Sequence, residues 1–248
     1  MKEVNITTFT EEAIKYINEL TTQVAAIENA SQILGETIKN NGVIHVFGSG
    51  HSMGFGIEMS GKPGTLVPIN VMQTSDFVSR GLITFEDFKD LNNKFERRLG
   101  VADRLYNLHD INPYDAFIII SSSGINGLVI DLAQKAIEKK HPIIVITSMK
   151  HTLSEQSRHP SGRKLYEFGD VVIDNCAPYG DAMLETDGVE KICSISSITC
   201  GIIAHELTHR IINYLESNNS ECPILRFGND IETQKINQEL KNKYKRRN

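Results

Sequence analysis

Residues 43–52, V-I-H-V-F-G-S-G-H-S, decide the fold of this chain. A short apolar run ends at a turn of glycine and serine, and a helical pattern follows, so the stretch predicts a buried strand, a tight turn and a helix N-terminus. The first backbone N–H groups of a helix are unpaired and carry a partial positive charge, which favours an anion there. Gly48 and Gly50 let the backbone approach a ligand closely. Ser49 and Ser52 add hydroxyl donors to the same turn.

Residues 115–126, D-A-F-I-I-I-S-S-S-G-I-N, repeat this arrangement. An apolar run again ends in small hydroxyl residues and a glycine, directly before a helical pattern. One such turn would be weak evidence for a binding site. Two serine-rich turns in one chain indicate a small phosphorylated ligand.

Short apolar runs alternate with helical patterns along the chain. We predict strands at residues 43–47, 66–70, 116–121, 143–147 and 171–174. We predict helices at residues 8–39, 52–61, 86–108, 126–140, 194–215 and 231–244. Uniformly apolar runs are typical of strands buried on both faces, and their alternation with helices favours an α/β fold. The prediction is a doubly wound, five-stranded parallel sheet in the flavodoxin-like order 2-1-3-4-5, with helices on both faces.

The predicted strand order places the two serine-rich turns together. Strands one and three are neighbours at the switch point of a 2-1-3-4-5 sheet, where such sheets bind ligands. Each turn follows one of these two strands. We therefore expect both turns to face the same crevice.

The composition is that of a globular protein. The 248 residues are 40% hydrophobic and 23% charged. They suit a single domain at residues 1–220, opened by a helical segment at 8–40, and a partly helical tail at 221–248. The net charge of −5 argues against a nucleic-acid partner, and the basic residues 241–247 are expected to form a solvated end.

The chain carries no signal for secretion or for a membrane. No apolar core of signal-peptide length opens it, and no window approaches ~18 uninterrupted apolar residues. The four cysteines form no C-x-x-C pair and fit a reducing compartment better than a disulfide framework. These features predict a cytoplasmic protein with no membrane partner.

The two strand–turn–helix units, with G-S-G-H-S in the first and S-S-S-G-I-N in the second, resemble the SIS (sugar isomerase) phosphosugar-binding domain over about residues 10–216. Residues 157–175, S-R-H-P-S-G-R-K-L-Y-E-F-G-D-V-V-I-D-N, resemble more narrowly a subgroup of single-domain SIS proteins. This subgroup is similar to phosphoheptose isomerase and N-acetylmuramic acid 6-phosphate etherase. The resemblance implies a SIS fold, a phosphosugar ligand, no required cofactor, and a homodimer or homotetramer with sites near subunit interfaces.

The resemblance also implies which residues bind the ligand. In the family, the serines of the second turn hold the phosphate and the first turn contacts the sugar. The last helix, entered here through residues 194–197, reaches into the site. The implied substrate-binding residues are Gly48, Ser49, Gly50, His51, Ser52, Ser121, Ser122, Ser123, Gly124, Asn126, Ser196 and Ser197.

Two glutamates are candidate acid/base groups, because aldose–ketose isomerisation needs a base that moves a proton between adjacent carbons. Glu58 lies about two turns into the helix after the first turn. Lys62 stands where related isomerases and the etherase carry a glutamate, and it is spaced to pair with Glu58 on one helix face. Glu96 lies about 25 residues before the second turn, a distance similar to that of a functional acid in etherase-like proteins. The alternative for each glutamate is a solvated surface charge.

The segment H-E-L-T-H at residues 205–209 matches the H-E-x-x-H pattern of zinc hydrolases, in which Glu206 would be the base. The pattern is short, and no third-ligand motif follows it, so the zinc hydrolase is a remote alternative. By position, the resemblance gives His205 the role of the active-site histidine of phosphoheptose isomerase, as acid/base or as a possible zinc ligand. We expect both histidines on an inward-facing stripe, with His209 as a core residue.

Other polar residues have simpler expected roles. His51 would donate to the ligand from the first turn, and His45, inside a strand, would be structural. Arg158 and His159 either add charge near a phosphate or belong to an ordered polar loop.

Two functions stay open at this stage beside the remote zinc hydrolase. One is a phosphosugar isomerase or related lyase that works by proton transfer through Glu58, His205 and Glu96. The other is a non-catalytic phosphosugar sensor.

Overall fold

A five-stranded parallel sheet with strand order β2-β1-β3-β4-β5 forms the centre of the protein. A computed structural model describes residues 6–89, 100–188 and 190–244. The strands are β1 (Ile44–Gly48), β2 (Ile69–Met72), β3 (Ala116–Ile120), β4 (Ile143–Thr147) and β5 (Val171–Asp174). The predicted α/β class, the all-parallel sheet and the 2-1-3-4-5 order are confirmed.

The described helices surround this sheet. They are α1 (Ile6–Glu19), α2 (Val24–Lys39), α3 (Gly54–Met59), α4 (Asp76–Ser79), α5 (Phe85–Lys89), α6 (Val101–Asn107), α7 (Gly127–Glu138), α8 (Met149–Ser154), α9 (Ser196–Ser217) and α10 (Ile231–Lys243). The first predicted helix is divided by a 3₁₀ turn at Leu20–Gln23. Thr21 and Thr22 donate their hydroxyls to the carbonyls of Asn18 and Glu19, and such side-chain bonds compete with regular helix geometry.

Successive strand residues face two separate cores. Ile44 and Val46 point towards α2, α3 and α9 on one side of the sheet. Phe47 and Phe117 point towards α6 and α7 on the other side. Since both faces are covered, β1, β3 and β4 are buried over their full length and are mostly apolar, as the sequence predicts.

The second strand begins later than predicted. Residues 66–70 were expected, but Leu66 instead forms an antiparallel bridge to Ile224 of the C-terminal segment. The backbone N–H of Val67 also donates to the carbonyl of Pro223. The local pattern is apolar in both places, so only the distant chain segment decides which residues pair with it.

A small antiparallel hairpin occupies residues that the sequence predicts as loop and helix entry. Its strands are β6 (Ala182–Leu184) and β7 (Ile192–Ser194). Met183 and Leu184 are buried against Ala13 of α1. Strands of three residues are too short to show an alternation of apolar and polar residues, so the sequence does not predict this hairpin.

The C-terminal helix α10 is largely exposed and contacts the rest of the protein through a few side chains. Leu240 and Tyr244 are buried next to Val43, and Lys243 forms an ion pair of 2.5 Å with Glu221. Lys241, Asn242 and Lys243 are exposed to solvent, as expected, whereas Tyr244 is buried, and the remainder of the basic segment lies outside the described residues. No described helix has the length and apolarity needed to cross a bilayer.

Candidate functional site

The first serine-rich turn leads into short helical pieces. Residues Gly50–Met53 form a 3₁₀ turn, and α3 follows with only six residues, in place of the longer helix predicted at 52–61. A Cβ on Gly48 would lie 2.4 Å from the carbonyl oxygen of Ser52, so glycine is required by the close approach of the backbone. Gly50 has a φ of +57°, and a Cβ at this position would meet no atom within 4 Å.

The second turn is fastened from neighbouring elements. The hydroxyl of Ser121 accepts from the backbone N–H of Gly124 at 3.1 Å. Thr147 at the end of β4 donates to the carbonyl of Ser121 at 2.7 Å, and Thr152 of α8 donates to the carbonyl of Ser123 at 2.8 Å. These bonds hold the turn in one conformation directly before the N-terminus of α7.

A cavity of about 450 Å³ opens between the first turn, the second turn and α9. The predicted site residues that line it are His51, Ser52, Glu58, Ser122, Ser196, Ser197 and His205. The other predicted residues belong to the two turns but do not line the cavity, as far as the described residues show. They are Gly48, Ser49, Gly50, Ser121, Ser123, Gly124 and Asn126. The structure thus brings together both turns, α3 and α9, while Glu96 lies outside the described residues.

Glu58 and His205 form a pair at the cavity wall. The Nε2 atom of His205 lies 2.8 Å from Oε1 of Glu58. The ammonium of Lys62 donates to the same oxygen, so the predicted i,i+4 pair exists. The hydrogen bond from Lys62 is the main reason that the pKa of Glu58 lies below its usual value, with a further contribution from His205. Glu58 is therefore held as a carboxylate.

Asp181 lines the cavity and was missed by the sequence analysis. Its carboxylate accepts from the backbone N–H of Ser196 at 2.8 Å and from the hydroxyl of Ser196 at 2.6 Å. It also accepts from the N–H of Ile195 at 3.2 Å. Asp181 thereby caps the N-terminus of α9 and fixes the first serine of that helix. It lies 15 residues upstream of this helix, and its only local signal is the turn-forming Gly180-Asp181 pair.

Comparison with known proteins places the chain in a family. The SIS domain model matches residues 8–148. The chain belongs to the SIS domain family. The resemblance inferred from the two turns is thus confirmed.

Relatives of this SIS domain protein include UPF0309 proteins. One from Listeria monocytogenes is 32% identical over 224 residues, which cover 90% of this chain and 89% of the relative. One from Geobacillus kaustophilus is 33% identical over 222 residues, which cover 89% and 86%.

Solved structures share the SIS domain fold. A phosphoheptose isomerase from Francisella tularensis superposes with a TM-score of 0.52 at 15% identity, over 83% of this chain and 95% of that one. The phosphoheptose isomerase of Neisseria gonorrhoeae gives a TM-score of 0.52 at 17% identity, over 83% and 96%. At this level of identity the likeness concerns the fold.

In this SIS domain, the expected inward-facing histidine stripe of α9 is wrong. His205 and His209 are exposed, and Nε2 of His209 contacts the side-chain amide of Asn213 at 3.2 Å. The buried stripe is carried by Ile203, Leu207 and Ile211. The side of α9 that carries the histidines also carries half-buried isoleucines. Both sides of the helix are therefore apolar in sequence, and the pattern alone does not show which side packs on the sheet.

The H-E-x-x-H pattern does not fit a zinc centre. Glu206, the base that such a centre needs, is paired with Arg210 at 3.3 Å, and His205 is turned to Glu58. Across the described ranges, no group of three or more His, Cys, Asp or Glu side chains gathers in a way that could hold a metal ion. The donor set needed by the zinc hydrolase alternative is thus missing from this part of the chain.

The loop after α8 is an ordered polar loop, which is one of the two interpretations of Arg158 and His159. Nη1 of Arg158 donates to the side-chain oxygen of Asn126 at 3.1 Å, which places the guanidinium beside the start of α7. His159 contacts Asp131 at 2.8 Å and Ser161 at 2.7 Å, and so orders the loop. His45 is fully buried and bound to Asp115 at 3.0 Å, in agreement with a structural role.

Proposed function

We propose that this SIS domain protein binds a small phosphosugar in the cavity between the two serine-rich turns and isomerises it, or performs a related elimination, by proton transfer. The observation that carries the proposal is the Glu58–His205 pair at 2.8 Å in the wall of a cavity that also contains Ser122. A base and an anion-binding turn in one cavity are the two elements that this chemistry requires.

The phosphate is assigned to the second turn. Ser122 offers a half-buried hydroxyl to the cavity. The twelve-residue helix α7 begins just beyond it, at Gly127, and its first N–H groups favour negative charge. Arg158 adds a guanidinium beside the same helix start. Because Thr147 and Thr152 fasten the turn, these donors are arranged before the ligand arrives.

The proton transfer is assigned to Glu58 and His205. In an aldose–ketose conversion, the carboxylate of Glu58 removes the proton from the carbon next to the carbonyl and returns it to the former carbonyl carbon. His205, whose Nε2 lies 2.8 Å from Glu58, is assigned the donation of a proton to the substrate oxygen as negative charge develops there. Glu58 is ionised, and so able to accept a proton, at neutral pH, and Lys62 donates to the same carboxylate.

A non-catalytic sensor is the second candidate, and one observation favours it. Oε1 of Glu58 is shared by Lys62 and His205, and a carboxylate with a lowered pKa is a weaker base. A sensor would bind the same ligand without converting it.

We further propose a homodimer or homotetramer. Ile57 of α3 is 55% exposed beside Glu58, and the half-buried Ile198 and Ile202 of α9 line the neighbouring cavity. Burial of this apolar surface between copies would stabilise an assembly. Light scattering coupled to size exclusion measures the mass, and a monomer at micromolar concentration would refute this part of the proposal.

The experiment for the function is a thermal-shift screen of pentose, hexose, heptose and amino-sugar phosphates. A ligand at 100 times its Kd stabilises the fold by about 2.7 kcal/mol, which gives a measurable rise in Tm. Incubation with each hit, followed by NMR of the sugar, distinguishes the isomerase from the sensor. If no phosphosugar raises the Tm, the proposed function is wrong.

A further inference from the structure

Two large apolar side chains near the C-terminus stand almost fully in solvent. Phe227 is 89% exposed and Ile231 is 86% exposed, more than any other large apolar side chain of the described residues. Single exposed apolar residues are common on protein surfaces, but two of them four positions apart form an unpartnered apolar surface. An aromatic side chain removes about 150–250 Å² from water when it is buried, so burial of Phe227 against a partner would be favourable.

These side chains belong to residues 226–231, the Phe227 loop, which is held in one conformation. The side-chain amide of Asn237 accepts from the backbone N–H of Arg226 at 2.8 Å and donates to its carbonyl at 2.9 Å. At the other end of the loop, the carboxylate of Asp230 accepts from the N–H of Thr233 at 2.8 Å. A segment that is already ordered loses little conformational entropy when it binds. The loop therefore presents Phe227 as a fixed knob.

A groove lies between the end of α2 and the residues that precede β3 and β4. Its volume is about 520 Å³, and its apolar lining consists of Ile33, Pro113, Tyr114 and Pro142. Tyr114 is 68% exposed at this groove, which we call the Tyr114 groove. Since a cavity of about 150 Å³ accommodates benzene, the groove has room for a phenyl ring.

The Phe227 loop and the Tyr114 groove lie at the same end of the sheet. Tyr114 stands two residues before β3, and Pro142 stands directly before β4. The chain that leads into the loop pairs ahead of β2, where Leu225 accepts from the N–H of Gly64 and donates to the carbonyl of Thr65. Because the strands are parallel, these positions share the edge at which the strands begin, opposite the edge that carries the serine-rich turns. A two-fold axis through this end would pair each loop with the groove of the other copy.

The charges around the loop and the groove are complementary. Lys140 lines the groove and Glu232 follows the loop, and neither forms an ion pair within the described part of the chain. Arg226 opens the loop, and Glu36, whose side chain is 47% exposed, lines the groove. A second copy would bring a carboxylate towards Lys140 and a guanidinium towards Glu36. Such matched charges favour a second copy of this chain over a partner of a single charge sign.

We propose that the Phe227 loop of one copy inserts into the Tyr114 groove of a second copy, and that the reverse contact closes a two-fold dimer. This interface is separate from the apolar surface around Ile57 of α3. The two interfaces together would give a tetramer, and either alone a dimer. The proposal does not depend on the phosphosugar ligand.

The variants Phe227→Asp and Tyr114→Asp test the two sides of the contact. Each changes an exposed side chain, so we expect the fold to be retained, which circular dichroism checks. The dissociation constant of this interface, measured by sedimentation equilibrium, should rise about 30-fold or more, because an aromatic anchor in an interface carries at least that share of the affinity. Leu153→Asp is the control, since Leu153 is 61% exposed on α8 at the opposite end of the sheet, and it should leave the dissociation constant unchanged. An unchanged dissociation constant in Phe227→Asp would overturn the proposal.

Mixing the two variants tests whether the knob of one copy meets the groove of the other. A mixed dimer keeps one intact contact, between Phe227 of the Tyr114→Asp chain and the groove of the Phe227→Asp chain. We expect an equimolar mixture to associate more tightly than either variant alone. If mixing restores no association, Phe227 and Tyr114 do not meet across copies and the proposal is wrong.

The outcomes distinguish this interface from the one proposed at α3. If Ile57→Asp halves the mass of the assembly and Phe227→Asp leaves it unchanged, the α3 surface forms the interface and the proposal made here falls. A wild-type protein that stays monomeric would leave Phe227 to a different partner and would refute both interfaces.

Discussion

The two serine-rich turns share a sequence pattern but differ in how the rest of the molecule holds them. The second turn is fastened by Thr147 and Thr152 and precedes a helix of twelve residues. The first has Gly50 in open space and precedes a helix of six residues that carries Glu58. A strand–turn–helix pattern is therefore held in one conformation only where neighbouring elements supply the bonds. The first turn instead leads into α3, which carries the proposed base Glu58.

The largest expected effect is the loss of turnover when Glu58, which follows the first turn, is replaced. Glu58→Gln keeps the shape of the side chain but removes the base, and we expect turnover of the identified phosphosugar to fall about 10²- to 10⁴-fold with the Kd nearly unchanged. Steady-state kinetics and calorimetry measure the two quantities. Glu239→Gln changes an exposed carboxylate of α10 and is the control. A fully active Glu58→Gln enzyme would place the base elsewhere.

A matched pair of glycine variants tests how firmly each turn is held. Gly50 and Gly124 both have positive φ, +57° and +63°, so alanine at either costs about 1–2 kcal/mol. A Cβ on Gly124 would also lie 2.9 Å from the hydroxyl of Thr152, whereas one on Gly50 meets no atom within 4 Å. We expect Gly124→Ala to lower the free energy of unfolding by about 2–4 kcal/mol, and Gly50→Ala by clearly less. Equal losses in urea denaturation would show that the two turns are held alike.

Serine variants test the division of binding between the turns. Ser122→Ala removes a hydroxyl donor to the phosphate, and we expect the Kd to rise about tenfold. Ser49→Ala alters the first turn, outside the cavity lining, and should raise the Kd by less. Calorimetry with the best ligand of the screen measures both. A larger loss for Ser49→Ala would move the phosphate to the first turn.

The smallest effect concerns pH. Lys62 lowers the pKa of Glu58, and loss of its hydrogen bond in Lys62→Met raises that pKa towards the usual value. Since the base works only when deprotonated, the acidic limb of the pH–rate profile should move to higher pH. An acidic limb that stays in place would show that Lys62 does not tune the base.

Several features followed from local pattern alone. The positions of the strands, the positions of both turns and the Glu58–Lys62 pair rest on short-range signals: apolar runs, glycine with serine, and i,i+4 spacing. These signals are local because they reflect strand burial on both faces, backbone freedom and helix geometry. They identified both turns, α3 and α9 as parts of one site.

Other features depended on partners distant in sequence. The C-terminal segment pairs with Leu66, the hairpin packs on α1, and Asp181 caps a helix 15 residues away. The inward direction of His209 was predicted wrongly because α9 has apolar residues on more than one side. No short-range signal shows which apolar side of a helix is buried.

The sequence by itself determined an α/β sheet with two serine-rich turns at neighbouring strand ends, because each turn is encoded in about ten consecutive residues. Tertiary structure alone decided that Glu58 meets His205 and that Asp181 joins the cavity wall. These contacts join residues 147 and 15 positions apart in the chain, and only the packing of α9 against α3 and the hairpin brings them within hydrogen-bond distance.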